Sequence, residues 1–101
     1  MKRASLSATE SVILDLLQDS TRFGLELVDA SDGRLKRGSV YVTLARMEAK
    51  GFVESWQEPR NPAAIGLPRR LYRATPYGIE VSSAYRQLQA ALSLKPAPAQ
   101  P

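Results

Sequence analysis

The stretch that decides the fold runs from Lys36 to Trp56: KRGSVYVTLARMEAKGFVESW. Val40, Leu44 and Met47 recur at i, i+4 and i+7, the spacing that puts three apolar side chains on one face of a helix. Gly51 follows the last periodic turn. A glycine there accepts the left-handed conformation that closes a helix at little cost. Phe52, Val53 and Trp56 then supply the aromatic and β-branched content of a strand. The reading is therefore a helix that stops at Gly51 and passes directly into a strand. On a helical wheel the arc opposite the apolar face holds Gly38, Val42, Ala45 and Ala49, with Ser39 and Arg46 on one flank and Tyr41 on the other. A solvated face is richer in Glu, Lys and Gln than this one. Its small uncharged residues, led in by Lys36 and Arg37, suit a surface that is covered by a partner.

Working backwards, SLSATESVILDLLQ opens on Ser7 with Glu10 three residues later, the spacing of a capping box. Val12, Ile13, Leu16 and Leu17 continue as an apolar stripe to about Gln18. Asp19, Ser20 and Thr21 break the chain. A second helix is expected over TRFGLELVDAS with Thr21 as its cap. Gly24 is costly inside a helix, by roughly 1 kcal/mol against alanine. Close packing against a neighbouring backbone is the expected reason for it.

Working forwards, FVESWQE and RRLYRAT read as two strands. PRNPAAIGLPRR lies between them, with three prolines, a glycine and three arginines, and reads as an exposed basic loop. Thr75 and Pro76 are the expected cap and first residue of a last helix. Along it Val81, Tyr85, Leu88 and Leu92 repeat at i, i+4, i+7 and i+11. That stripe either covers the domain's own core or pairs with a second copy, and its length favours pairing. The end, KPAPAQP, alternates proline with small residues and is expected to be disordered.

The predicted fold is mostly α with a small β-hairpin: a winged helix-turn-helix over residues 1–75, a dimerisation helix over 76–94 and a tail over 95–101. In that geometry the third helix enters the major groove of duplex DNA and the wing lies along the backbone. Arg46 can offer a bidentate fork to a guanine edge, and Val42 can touch a thymine methyl. Ser39 can join the free N–H groups of the helix start on a phosphate. Lys36 and Arg37 are expected on phosphates, as are Arg60, Arg69 and Arg70 of the wing. Val81, Tyr85, Leu88 and Leu92 are the expected dimer interface.

Composition agrees. The chain has 101 residues, which suits one small domain, and a formal charge of +4. The charge is segregated: residues 10–32 hold six acids and one base, residues 34–73 nine bases and three acids. A basic half is complementary to a polyanion. With no cysteine and no histidine, zinc sites, thiol or Ser/His nucleophiles and histidine acid–base catalysis are excluded. An enzyme is not expected, nor a cofactor or a metal. No stretch is apolar enough to span a membrane, and Lys2 and Arg3 are not followed by the apolar core of a signal peptide. A cytoplasmic protein is expected. Trp56 and Tyr85 are more simply core residues than pocket walls.

The sequence resembles the PadR family of bacterial transcriptional regulators. Phe23, Gly24, Leu25, Glu26 and Leu27 look like the family's aromatic–Gly–aromatic–Glu–Ile pattern. Gly38, Tyr41, Leu44, Arg46, Glu48 and Gly51 match its third-helix hallmark position for position, with Met47 in place of a leucine. Arg69, Tyr72, Thr75 and Gly78 resemble the closing wing strand and the Thr-x-x-Gly start of the last helix. The match covers Ser5 to Leu92, with Val42 and Leu67 departing from the family's usual proline and basic residue. The resemblance implies a homodimer that represses by occupying a palindromic operator, in the short subfamily with one helix after the wing. It implies that Tyr41 contacts the DNA backbone, Arg46 a base or phosphate, and that the wing arginines clamp the backbone. A small hydrophobic or phenolic effector at the dimer interface carries over from some relatives without a motif to mark it. The rival readings are a winged helix that docks an acidic protein and a ligand-sensing dimer with secondary DNA binding.

Overall fold

The computed structural model describes residues 5–59 and 69–94. Its elements are α1 (Ala8–Leu16), β1 (Arg22–Phe23), α2 (Gly24–Ala30), α3 (Arg37–Ala49), β2 (Val53–Gln57), β3 (Arg70–Ala74) and α4 (Pro76–Leu92). The architecture is a mostly helical winged helix with a small antiparallel sheet. The expected hairpin is there, β2 pairing with β3 from Val53↔Ala74 to Gln57↔Arg70. A third strand was not expected: β1 pairs with the other edge of β3 through Arg22↔Tyr72 and Phe23↔Leu71.

That strand corrects the start of the second helix. Thr21 does not cap it. The helix begins at Gly24, with Phe23 as its extended cap residue. The Phe23 N–H donates to Glu26 Oε1 at 2.8 Å. Backbone pairing to β3 holds Arg22 and Phe23 extended, and the Arg22 guanidinium Nε donates to the Leu16 carbonyl at 2.9 Å. One arginine thus closes the end of α1 and opens the sheet.

The capping box of α1 forms as expected. Ser7 N–H donates to Glu10 Oε1 at 2.8 Å, and Glu10 N–H donates to Ser7 Oγ at 3.1 Å. Glu10 has a second task that local spacing could not reveal. Lys50, at the end of α3, donates its Nζ to both Glu10 oxygens at 3.0 and 2.8 Å and to the Ser5 carbonyl at 3.0 Å. The Glu10 side chain is buried while that of Lys50 is only 31% exposed, so the ion pair ties α1 to α3 from inside. Burial pushes the Glu10 carboxyl up, but the Lys50 and Ser7 hydrogen bonds outweigh it, and the net shift is downward from 4.5. A depressed carboxylate stabilises the fold above its unfolded pKa and loses that contribution as pH falls through the folded one. Glu10→Gln is therefore expected to be less stable than the wild type at pH 7. Denaturant melts at stepped pH should show the gap closing below about pH 4.5. A constant gap down to pH 2 would remove Glu10 as its source.

The core contains Ile13, Leu14 and Leu17 of α1 and its end, Leu27 of α2, Leu35, and Val40, Leu44 and Met47 of α3. Phe52, Val53 and Tyr72 close it from the sheet side. The three-residue apolar face of α3 is thus buried as its spacing requires. Gly51 has φ +82°, the left-handed closure expected of it. Its neighbours dock the next element. Thr75 N–H donates to the Phe52 carbonyl at 3.0 Å, and its Oγ donates to Gly51 O at 2.6 Å while accepting from Gly78 N–H at 2.9 Å. The first turn of α4 is therefore anchored to the α3–β2 corner, with the Tyr77 ring 5.6 Å from that of Phe52.

α4 packs along α1. Ser82, fully buried, donates to Asp15 Oδ1 and accepts from Gln18 Nε2, each at 3.4 Å. The apolar stripe divides along its length. Val81 packs against the core and Tyr85 is half-buried, whereas Leu88 is 55% and Leu92 71% exposed. The expected disorder of 95–101 lies outside the described residues.

Candidate nucleic-acid interface

The outward arc of α3 is open. Lys36, Arg37, Gly38, Ser39, Ala45, Arg46 and Ala49 are all exposed. Tyr41 is 48% and Val42 54% exposed, large apolar surface on the side away from the core. A Cβ built on Gly38 would meet nothing within 4 Å, so the ridge is shallow at its start. Ser39 stands in the first turn of α3. Its N–H is not free: it donates to the Lys36 carbonyl at 3.2 Å, and its own carbonyl accepts from Thr43 Oγ at 3.1 Å. Only its hydroxyl is offered outward. On the α1 side, Arg46 with Thr43 and Thr9 lines a groove of about 330 Å³.

The wing is tied to α3 by a short relay that spacing does not predict. Arg70 of β3 donates Nε to Ser55 Oγ of β2 at 2.8 Å, and Ser55 donates to Glu48 Oε1 of α3 at 2.6 Å. Each link is exposed, so its worth in stability is small. Its effect is to orient Arg70 relative to the helix. Arg69 is engaged differently. Its guanidinium sits 4.0 Å over the Phe23 ring and faces Glu58 at 3.3 Å. Arg73 pairs with Glu54 and lies 5.2 Å from the Trp56 ring. Arg60 and Leu67 lie outside the described residues.

Tyr72 supports the cleft between sheet and helix from below. It is buried, and burial pushes its phenol up, with Arg70 opposing and Glu48 and Tyr41 adding to the rise. It remains a neutral phenol near neutral pH. Trp56 and Tyr85 line neither this cleft nor the Arg46 groove. Among the described residues no group of three or more acidic side chains could hold a metal ion, and no helix is long and apolar enough to cross a membrane.

Phe23, Gly24 and Leu25 border the interface unforeseen. The sequence signals were the glycine inside a helical stretch and the aromatic–Gly–aromatic pattern it resembles. Its neighbour is the Tyr41 side chain and not a backbone: a Cβ on Gly24 would lie 2.5 Å from Tyr41 Cε1.

A helical bundle that buries one side of its third helix, bares the other and flanks it with a wing defines a winged helix-turn-helix, DNA-binding regulator. The comparisons name the family. The profile of the transcriptional regulator PadR-like family matches residues 13–84. The chain belongs to that family, which is one of regulators and not of enzymes. Among solved structures it is similar to a PadR family transcription regulator from hypervirulent Clostridium difficile R20291, at 25% identity and a TM-score of 0.73, over 85% of this chain and 91% of that one. It is also similar in fold to a PadR family transcriptional regulator from Eggerthella lenta DSM 2243, at 22% identity and TM-score 0.68, over 81% and 71%. A PadR-like regulator from Bacillus cereus strain ATCC 14579 matches at 23% identity and TM-score 0.67, over 82% of each chain. No curated protein matches the chain by sequence.

Proposed function

We propose that the protein is a cytoplasmic, homodimeric repressor that reads a palindromic operator with α3. The observation that carries this is the outward arc of α3: an uncharged ridge of Gly38, Val42 and Ala45, bordered by Arg46, Lys36 and Arg37, all exposed. The ridge can sink into the major groove while the charged border meets phosphates. In this reading Arg46 and Val42 touch base edges. Lys36, Arg37, Ser39, Tyr41 and the wing arginines Arg60, Arg69 and Arg70 hold the backbone. Residues 1–75 read the DNA and residues 76–94 pair with a second copy through Leu88 and Leu92, with Tyr85 and Val81 at the inner end. Two copies then place their third helices about one helical turn apart on successive major grooves. Repression follows by occlusion, without a catalytic group.

Selection of bound sites from random duplex DNA with the purified protein tests this reading. A palindrome with half-site centres about 34–36 Å apart is the expected result. Arg46→Ala should still bind that site but relax preference at the base it contacts, at a cost of about 1–3 kcal/mol. Affinity should also fall steeply with salt. No retention on any duplex at low salt would sink the proposal and favour a basic face that docks an acidic protein.

A further inference from the structure

The three-stranded sheet has two faces, and the fold uses one of them. Val53 and Tyr72 are buried in the core, and Ser55 and Arg70 on the same side form the relay to α3. Side chains alternate along a strand, and directly paired residues share a face. The other face therefore carries Phe23 of β1, Leu71 and Arg73 of β3, and Glu54 and Trp56 of β2. Beyond the paired strands, Glu58 N–H donates to the Arg69 carbonyl at 2.8 Å, which continues the register and sets Glu58 opposite Arg69. Phe23, Leu71 and Trp56 thus make an apolar row across all three strands, with Trp56 36% exposed. The Glu54–Arg73 pair bounds the row on the side of the α3–β2 corner, and the Glu58–Arg69 pair bounds it towards the wing tip.

This pattern is complementary to itself. In both ion pairs the acid comes from the β2 side and the base from the β3 side. Consider a second copy laid face to face, about 10 Å away, with the two-fold axis running along the strands between β2 and β3. Rotation about that axis sets each β2 over the β3 of the other copy without a shift along the strands. Glu54 of each copy then faces Arg73 of the other, Trp56 faces Leu71, and Glu58 faces Arg69. An axis across the strands would instead set Glu54 over Glu58 and Arg73 over Arg69, where like charges repel. The favourable axis also leaves both wing tips pointing the same way, where one duplex can lie against both.

We propose that this face is a contact between two copies of the chain bound side by side on DNA, wing against wing, each copy belonging to a separate dimer. The proposal rests on the DNA-binding reading above. It shares no residue with the α4 stripe, so the two contacts do not compete. Strands of two and five residues cover roughly 17 by 14 Å, far less than the roughly 800 Å² per partner of a stable complex. The contact is therefore weak in free solution and forms where a duplex holds two copies at high effective concentration. Its consequence is cooperative occupation of neighbouring operators.

The test uses the full chain and duplexes that carry the selected site twice, with the separation stepped one base pair at a time through a helical turn. Affinities come from fluorescence anisotropy, with single-site duplexes as the reference. At one phase of the series the second dimer should bind about tenfold tighter than the first, and half a turn away it should gain nothing. Trp56 is the single tryptophan of the chain, so its acrylamide quenching reads the contact directly. Quenching should fall on the in-phase duplex relative to the out-of-phase one. Trp56→Ser and Arg73→Glu should each abolish the cooperativity. Glu54→Arg combined with Arg73→Glu restores the charge pattern within and between copies and should recover it. Cooperativity is a ratio of affinities on one duplex, so a general loss of positive charge cancels from it. Thermal melts control for folding of each variant. Independent binding at every separation, by a wild type that holds single sites, would overturn the contact and leave the DNA reading standing. So would cooperativity that survives both single variants, or a folded double variant that does not recover it. Trp56 already shielded from acrylamide in the free protein would give the face to another part of the same chain, and would overturn the contact too. A wild type that binds no duplex at low salt would remove both proposals together.

Discussion

Gly78→Ala is expected to lower the thermal midpoint by about 10–20 °C, a loss of about 2–4 kcal/mol in a domain of this size. A Cβ at residue 78 would lie 2.1 Å from the Phe52 carbonyl oxygen, 2.9 Å from its carbon and 3.1 Å from the Cα. All three are backbone atoms, at the corner where α3 passes into β2. They cannot rotate aside as a side chain does. The same carbonyl accepts from Thr75 N–H, and Gly78 N–H donates to Thr75 Oγ. Moving α4 outward to admit the methyl breaks that anchor. The substitution also gains up to about 1 kcal/mol of helix propensity, which offsets only part of the clash. Gly51→Ala is the useful contrast. There the nearest atom to a new Cβ is Tyr77 Cδ2 at 3.8 Å, so the strain comes from φ +82° alone and should cost only about 1 kcal/mol. Circular-dichroism melts of the two variants separate the mechanisms. Equal midpoints would show that the Phe52 corner yields more easily than its geometry implies.

Replacing Leu88 and Leu92 together by Asp is expected to leave the fold intact and dissociate the proposed dimer, with operator affinity falling by about 100-fold or more. Both side chains are already more than half exposed, so the monomer loses little when they change. In a dimer each would bury apolar surface worth about 1.5–3 kcal/mol, and two carboxylates per copy would then face their like across the axis. DNA affinity falls because two tethered half-sites act as one ligand and two free ones do not. Sedimentation equilibrium and anisotropy on the palindrome check the two halves. A double variant that still dimerises would move the interface elsewhere on the surface. Val81→Ala is the control at the inner end. It packs against the core and so should lower the stability of each copy more than it weakens assembly.

Much of the fold was legible because its signals are local. The capping box needs only Ser7 and Glu10, three residues apart, and it formed with both hydrogen bonds. Val40, Leu44 and Met47 declared the buried face of α3 through helical spacing alone. Gly51 and the Thr75–Pro76 pair marked where helices end and begin, since those residues act on their own φ and their own N–H groups. The outward arc of α3 was equally readable, being the complement of its apolar face. β1 escaped because two residues carry no periodicity, and the pairing with β3 is what keeps them extended.

The amino-acid order by itself determined the succession of elements apart from β1, their boundaries to within a turn or so, and the face of α3 left exposed. These follow from interactions within a few residues of each other. Tertiary structure alone decided that Glu10 takes Lys50, that Arg70 is aligned through Ser55 on Glu48, and that Gly78 meets a carbonyl while Gly24 meets a phenol. Each joins segments far apart in the chain. A glycine reads the same in both places until the chain closes, because the atoms that exclude its side chain are brought there by folding.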